Sequence, residues 1–362
     1  MVEKLRQTLK QIRSLDTTLT PHIQARLDSL TKPQGSLGRL EELALRCALI
    51  RGQEIPLVQK KVLFVCCADH GVCEEGVSAY PREVTAQMVY NYLRGGAAVS
   101  VLARQGGVTV RVVDLGVDHD FFPNLSGLLQ RKVGRGTANF TKGPAMSSLS
   151  AVQAIEIGIE LATMEVQAGA QLLGIGEMGI GNTTAATALL AALGDFDPEA
   201  LAGVGTGVDE QTRRKKVEVV RRALARNYPR AADPLGCLVR VGGYEVAGMV
   251  GICLAGAALR VPVVVDGFIA TAAAWTAYAL CPPAKEYFIF SHLSAEQGHA
   301  RVLEALGVRP LLNLQMRLGE GTGAVLGMGL VESAVRLLNE MATFAEAGVS
   351  DKEKRENGET KE

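Results

Sequence analysis

Gly174-Ile175-Gly176-Glu177-Met178-Gly179-Ile180-Gly181-Asn182-Thr183-Thr184 lies between two runs that decide the fold. Ahead of it, Ala168 to Leu173 is apolar and suits a buried parallel strand; behind it, Ala185 to Leu193 is rich in alanine and leucine and suits a helix. Glycines let successive backbone N–H groups point the same way, and the helix adds its partial positive end, so such a turn favours an anion. Asn182 or Thr183 would cap the helix, and their small side chains leave room for phosphate oxygens. The plain alternative is a tight strand-to-helix turn whose glycines serve packing alone.

Two features narrow the choice. No Gly-Lys-Ser/Thr follows, so this is not a triphosphate loop. Gly174-x-Gly176-x-x-Gly179 matches the dinucleotide fingerprint, yet Asp195 follows the helix directly, with no second strand to carry an acid to a ribose. What the turn does hold is a glutamate, Glu177, placed to face a ligand.

Working outward, the same grammar recurs. Lys61 to Ala68 reads as a buried strand ending in Asp69-His70-Gly71-Val72, and Val108 to Val113 closes in Asp114. Val261 to Val265 ends in Asp266-Gly267-Phe268, and Phe288 to Phe290 is a further strand. The carboxyl ends of such strands are where open α/β sheets place ligands. His70 is there either as a base or ligand, or as a structural histidine. A second glycine turn, Gly203 to Asp209, enters a basic helix carrying Arg213, Arg214, Lys215 and Lys216, and two such turns converge on one phosphate when their strands are neighbours. A third, Gly319-Glu320-Gly321-Thr322-Gly323, holds a glutamate that serves either as a helix cap or as a base. Ser291 to His299, read as a helix, puts His292, Glu296 and His299 on one face, as a metal trio or as the polar face of a capped helix. Gly76 to Pro81 is a loop before a helix, Glu83 to Leu93, that carries Gln87, and Arg135 to Met146 is a long polar loop of the kind that is often functional.

Composition bounds the function. The 362 residues carry 38 basic and 38 acidic side chains, so a generic nucleic-acid surface is not expected and any anion site must be local. The longest apolar stretch, Gly267 to Cys281, is shorter than the roughly 20 residues of a membrane span. The amino terminus lacks the apolar core of a signal peptide, and the seven cysteines are scattered through apolar runs, so a cytoplasmic protein with reduced thiols is expected.

These motifs, taken in order, resemble one family. Lys32-Pro-Gln-Gly-Ser-Leu-Gly-Arg-Leu40, Ala68-Asp-His-Gly-Val72, Gly76-Val-Ser-Ala-Tyr-Pro81, the Gly176 to Thr184 stretch, Val265-Asp-Gly-Phe268, Ser291-His-Leu-Ser-Ala-Glu-Gln-Gly-His299 and Arg317-Leu-Gly-Glu-Gly-Thr-Gly323 are similar to the nicotinate-nucleotide–dimethylbenzimidazole phosphoribosyltransferases, which activate the lower ligand of cobalamin. The resemblance implies an α/β fold, a Rossmann-like, mostly parallel sheet with helices on both faces, and a small helical domain from both chain ends. The expected boundaries are N-terminal helices over 1–30, a catalytic domain over 31–300, a C-terminal part over 301–347 and a disordered charged tail over 348–362. A homodimer is implied, with neither cofactor nor metal.

The implied reaction moves phosphoribose from nicotinate mononucleotide to 5,6-dimethylbenzimidazole or a related base, giving α-ribazole 5'-phosphate and nicotinate. By motif, Glu320 is the base and Glu177 the second active-site glutamate. Gly176, Gly181, Asn182, Thr183, Gly205, Gly207 and Lys216 hold phosphate and ribose, while Ser78, Tyr80, Gln87, Met178 and the Leu314 to Leu318 segment line the aromatic slot. Cys73 stands where a smaller residue is expected, away from the chemistry.

Overall fold

The structure, a computed structural model, describes residues 2–203 and 210–350. Among the described residues, six strands form one sheet: β1 (Lys61–Ala68), β2 (Val108–Gly116), β3 (Leu128–Gln130), β4 (Leu172–Met178), β5 (Val263–Val265) and β6 (Phe288–Phe290). Their order is β3-β2-β1-β4-β5-β6, and every adjacent pair is parallel. All eight residues of β1 and all seven of β4 are buried, which suits strands covered on both faces.

Strand pleating assigns the helices to their faces. Leu63, Gly174 and Val264 are register partners, and the first turns of the helix Thr322–Glu340 press on them through Gly321, Met328 and Gly327. Cys66, Leu173 and Val263 point the other way, against Gly248 and Gly256 of the helix Tyr244–Ala258. That helix packs against the helix Ser148–Gln167 almost backbone to backbone, because a side chain at Gly158 or Gly251 would overlap the facing main chain.

This order reverses direction between β1 and β4, the topological switch point at which such sheets open a crevice above their carboxyl ends. The expected α/β sheet is therefore present, with one strand, the three-residue β3, that the sequence pattern did not disclose. The glycine stretch divides differently from the sequence reading. Strand β4 continues through Met178, the helix runs Asn182–Gly194, and only Gly179 to Gly181 makes the turn.

Contacts divide the chain into two compact units, residues 1–15 with 58–329, and residues 16–57 with 330–362. The boundaries expected at 30 and 300 differ from these. The helix Val2–Gln11 packs on the helix Ser148–Gln167 in the larger unit, where Leu5 N–H donates to Glu156 at 3.1 Å. The smaller unit joins the helices Thr20–Ser29 and Arg39–Arg51 to the chain's last helical turns, with a bridge from Leu30 to Thr343. Inside it, Lys32 and Glu41 form a buried ion pair at 2.9 Å. Most of the expected tail lies outside the described residues.

Candidate active site

The crevice holds a cavity of about 370 Å³, within the size range of small-molecule sites, walled by residues that follow β1, β4, β5 and β6 and by the Arg317 to Glu320 turn. From β4 come Glu177 and Met178, then Gly179 to Thr183. Gly181 occupies the N-cap with φ +91°, and no side chain caps the helix. Asn182 does not cap it, because its amide donates instead to Glu177 Oε2. The Thr183 N–H is therefore open, and the Thr183 hydroxyl accepts from Lys216 Nζ at 3.2 Å. Burial, with Lys216 only 2% exposed, holds that ammonium below the ordinary lysine range, while Glu296 opposes the shift. Gly205 and Gly207 lie outside the described residues.

Glu320 stands beside Glu177 in the left-handed region at φ +64°, a conformation that costs a non-glycine residue energy and is found disproportionately at functional sites. Asp266, at the end of β5, holds this turn. Its carboxylate accepts from Gly321 N–H at 3.0 Å and Ala324 N–H at 2.9 Å. The Glu320 N–H donates to Glu177 Oε1 at 3.5 Å, so one buried glutamate braces the turn that carries the other. Among the described residues, Glu320 Oε2 is buried without a full hydrogen bond, and so is the neighbouring Tyr92 hydroxyl. The two interact without reaching full hydrogen-bond geometry.

This arrangement sets the proton affinities. Desolvation pushes Glu177 up to about 8, with repulsion from Asp266 adding to it and the Asn182 bond opposing it. Glu320 rises to about 7, again mainly by desolvation, with Tyr92 pulling it back and Asp266 pushing it up. Asp266 is raised by burial, partly offset by His292. A carboxylate poised near 7 on a cavity wall is what general-base chemistry near neutral pH requires.

The structure brings Glu177, Glu320, Gly181, Asn182, Thr183, Ser78, Tyr80, Met178 and Leu318 to one cavity, with Lys216 one bond behind Thr183. Two expected site residues are placed elsewhere. Gly176 is a strand residue whose added Cβ would stand 2.5 Å from the Gly321 backbone, so it clears space for the Glu320 turn and does not reach the cavity. Gln87 is exposed and off the wall. On the helix Val84–Leu93, Val84 and Met88 share the face that looks in, and Gln87 is one position out of phase. Cys73 is closer to the site than expected, since its thiol donates to the Ile180 carbonyl at 3.0 Å and lies beside Gly181.

The metal trio does not assemble on a helix. His292 forms a strand-like bridge to Leu312, and the helix begins only at His299. His299 Nδ1 accepts from Ser294 N–H at 2.9 Å and Nε2 meets Thr271 Oγ1 at 3.0 Å, while burial drives its pKa down to about 3. It is a structural histidine. His70 is wholly buried 2.7 Å from Glu245 and off the cavity wall. Sequence reasoning noted Asp266 only as one of several strand-end carboxylates, and missed Tyr92, Val84 and Met88, which only the folded backbone brings in.

A sheet in this order, whose switch-point cavity combines an open helix entrance, a buried lysine behind it and a glutamate raised to about 7, fits a group-transfer enzyme acting on a phosphorylated substrate. The comparisons agree. The family model described as "Phosphoribosyltransferase" matches residues 12–349. The nicotinate-nucleotide–dimethylbenzimidazole phosphoribosyltransferase of Pelodictyon phaeoclathratiforme is 54% identical, with 97% of this chain and 99% of that protein covered. The enzyme of that name from Geobacter metallireducens is also 54% identical, covering 95% and 98%. Among solved structures, CobT from Thermus thermophilus is 50% identical with a TM-score of 0.88, covering 92% of this chain and 99% of that one. The chain belongs to the nicotinate-nucleotide–dimethylbenzimidazole phosphoribosyltransferase family.

Proposed function

We propose that the enzyme transfers 5-phosphoribose from nicotinate mononucleotide to 5,6-dimethylbenzimidazole, or a related aromatic base, in cobalamin synthesis, with Glu320 as the base. The observation that carries this assignment is Glu320, raised to about 7 on the wall of a cavity that also offers an open helix entrance. Thr183 N–H and Lys216 receive the phosphate. Ser78, Tyr80, Met178, Leu318, Val84 and Met88 make a mostly apolar slot for the acceptor ring.

One benzimidazole nitrogen attacks the anomeric carbon with its lone pair, and the bond to the pyridinium nitrogen breaks with its electrons, releasing nicotinate with a neutral ring. The acceptor's other N–H proton passes to Glu320 and then to solvent, so no acid is needed for the leaving group. Glu177 braces the catalytic turn through Asn182 and the Glu320 N–H. Inversion at carbon gives the α-linked product. The family resemblance supports a homodimer in the cytoplasm, and sedimentation equilibrium at twice the chain mass is expected. The function is tested by turnover with nicotinate mononucleotide and a panel of aromatic bases, followed by product stereochemistry. Release of nicotinate with an α-linked product is expected; a β-linked product or no release would remove the reading.

A further inference from the structure

The helix Val84–Leu93 brings more to the cavity than the apolar wall of the acceptor slot. At about 3.6 residues per turn, Tyr92 falls between the side that carries Val84 and Met88 to the cavity and the side that carries Thr85 and Val89 into the core. Long side chains on a helix lean back over the preceding turn, so a ring carried by the last turn is directed toward the slot. Tyr92 is buried and does not line the cavity, whereas its neighbour Glu320 does. The phenol therefore stands behind the base.

Among the described residues, the Tyr92 hydroxyl and Glu320 Oε2 are both buried and make no full hydrogen bond, and the carboxylate is the acceptor that the hydroxyl meets. Buried polar groups are rarely left unsatisfied, and catalytic contacts that are loose in an empty site tighten when substrate is bound. The rest of Tyr92 is held without the hydroxyl. Its carbonyl accepts from Gly95 N–H at 3.0 Å and from Ser100 Oγ at 3.4 Å.

We infer that Tyr92 is a positioning residue for the base: its phenolic O–H donates to the Glu320 carboxylate from behind, favouring the charged form and leaving the remaining lone pairs to the acceptor's N–H. The inference rests on Glu320 being the base, as proposed above, and adds the group that keeps it ready. Burial, with Glu320, Cys67 and Glu177 adding repulsion, pushes the phenol well above its ordinary range, so Tyr92 stays neutral and able to donate. A hydrogen bond to an ionised acceptor is about twice as strong as one to a neutral group, so the same O–H holds the carboxylate more firmly than the carboxylic acid. Of the other ionisable groups around the pair, Asp266 at the end of β5 repels the charge on Glu320 and has His292 at 3.8 Å. Glu177 at the end of β4 receives the Glu320 N–H, Cys67 lies on β1, and Arg317 stands on the Glu320 turn. Each of them is retained when only the Tyr92 hydroxyl is removed.

The test is the pH profile of Tyr92→Phe, with kcat for nicotinate release measured between about pH 6 and 9 at saturating nicotinate mononucleotide and dimethylbenzimidazole. Glu320 lies at about 7 in the unmodified enzyme, and losing one charge-assisted bond moves the midpoint of the acid limb up by about one pH unit. The variant is then about fivefold slower at pH 7, the deficit shrinks to less than about threefold at pH 9, and KM for the nucleotide changes by less than about twofold. In a Glu320→Gln background Tyr92→Phe costs less than about twofold, because the hydroxyl acts through the carboxylate. Should Tyr92→Phe fail to fold, Tyr92→Met, which fills the space with a flexible apolar side chain, shows the same displaced limb. The inference is overturned if the folded variant keeps its midpoint within about 0.3 pH unit while kcat drops equally at every pH, which is the mark of packing alone. It is overturned equally if Tyr92→Phe costs as much in the Glu320→Gln background as in the unmodified enzyme. A Glu320→Gln enzyme that keeps the acid limb shows instead that another group is the base, and the inference falls with that assignment.

Discussion

Replacing Glu320 by glutamine separates base chemistry from architecture. The substitution keeps side-chain length, burial and the left-handed backbone at φ +64°, and the contacts that fix the turn, from Gly321 and Ala324 to Asp266 and from Glu320 N–H to Glu177, are made by backbone atoms. Folding and nucleotide binding should therefore survive. The proton acceptor is lost, and losing a general base costs about 10²- to 10⁴-fold in rate. Tenfold is worth about 1.4 kcal/mol of barrier, so the expected loss is about 3–5 kcal/mol.

The position of Glu320 adds a second signature. With its pKa pushed up to about 7, half of the carboxylate is ionised at pH 7 and about a tenth at pH 6. In the unmodified enzyme kcat should fall about tenfold per pH unit below 7 and level off above 8, whereas Glu320→Gln should turn over slowly with a flat profile between pH 6 and 9. Steady-state release of nicotinate, with KM for the nucleotide measured alongside, reads both effects. A folded variant that keeps kcat within about threefold, or keeps the original pH limb, refutes the assignment of the base.

Three further outcomes follow from the same geometry. Lys216→Met should raise KM for nicotinate mononucleotide by about 10- to 100-fold with a smaller change in kcat, because the buried ammonium behind Thr183 is a binding charge; isothermal titration with the nucleotide checks it. Gly176→Ala places a methyl 2.5 Å from the Gly321 main chain, so a stability loss of about 1–3 kcal/mol together with a lower kcat is expected in chemical denaturation and turnover. The Glu177 proton is bound more tightly in the folded state, near pH 8, than in the unfolded chain, near 4.5. Its contribution to stability is therefore complete below about pH 4.5 and is lost as the pH rises through 8, by at most about 5 kcal/mol. The slope of melting temperature against pH over that window should be shallower in Glu177→Gln, and an unchanged slope would count against the buried protonated state.

Much of the fold was legible because β1, β5 and β6 are largely apolar runs that give way to a polar residue. The strand–turn–helix reading of the central stretch was right in kind but misplaced its turn. Gly174 and Gly176 read as turn residues because glycine is a poor strand former, but they are strand residues kept small by Met328 and the Gly321 backbone pressing on β4. That pressure comes from a segment about 145 residues away and has no local signature. The same limit explains Gln87. A motif fixes which helix faces the site, whereas the side that faces it depends on the phase set by Thr85 and Val89 in the core. The two glutamates were visible as residues flanked by glycine, and their proton affinities were not, since burial and Asp266 arise only on folding. The His292 to His299 segment resembled a helix by spacing, but its backbone is drawn aside by the bridge to Leu312.

The central claim is spatial, and a crystal structure of the enzyme with α-ribazole 5'-phosphate and nicotinate tests it most directly. The account expects the phosphate at the Gly181 to Thr183 entrance against Lys216, and the unsubstituted benzimidazole nitrogen about 3 Å from Glu320 Oε2. A phosphate bound away from that entrance, or a base whose free nitrogen faces away from Glu320, would contradict it.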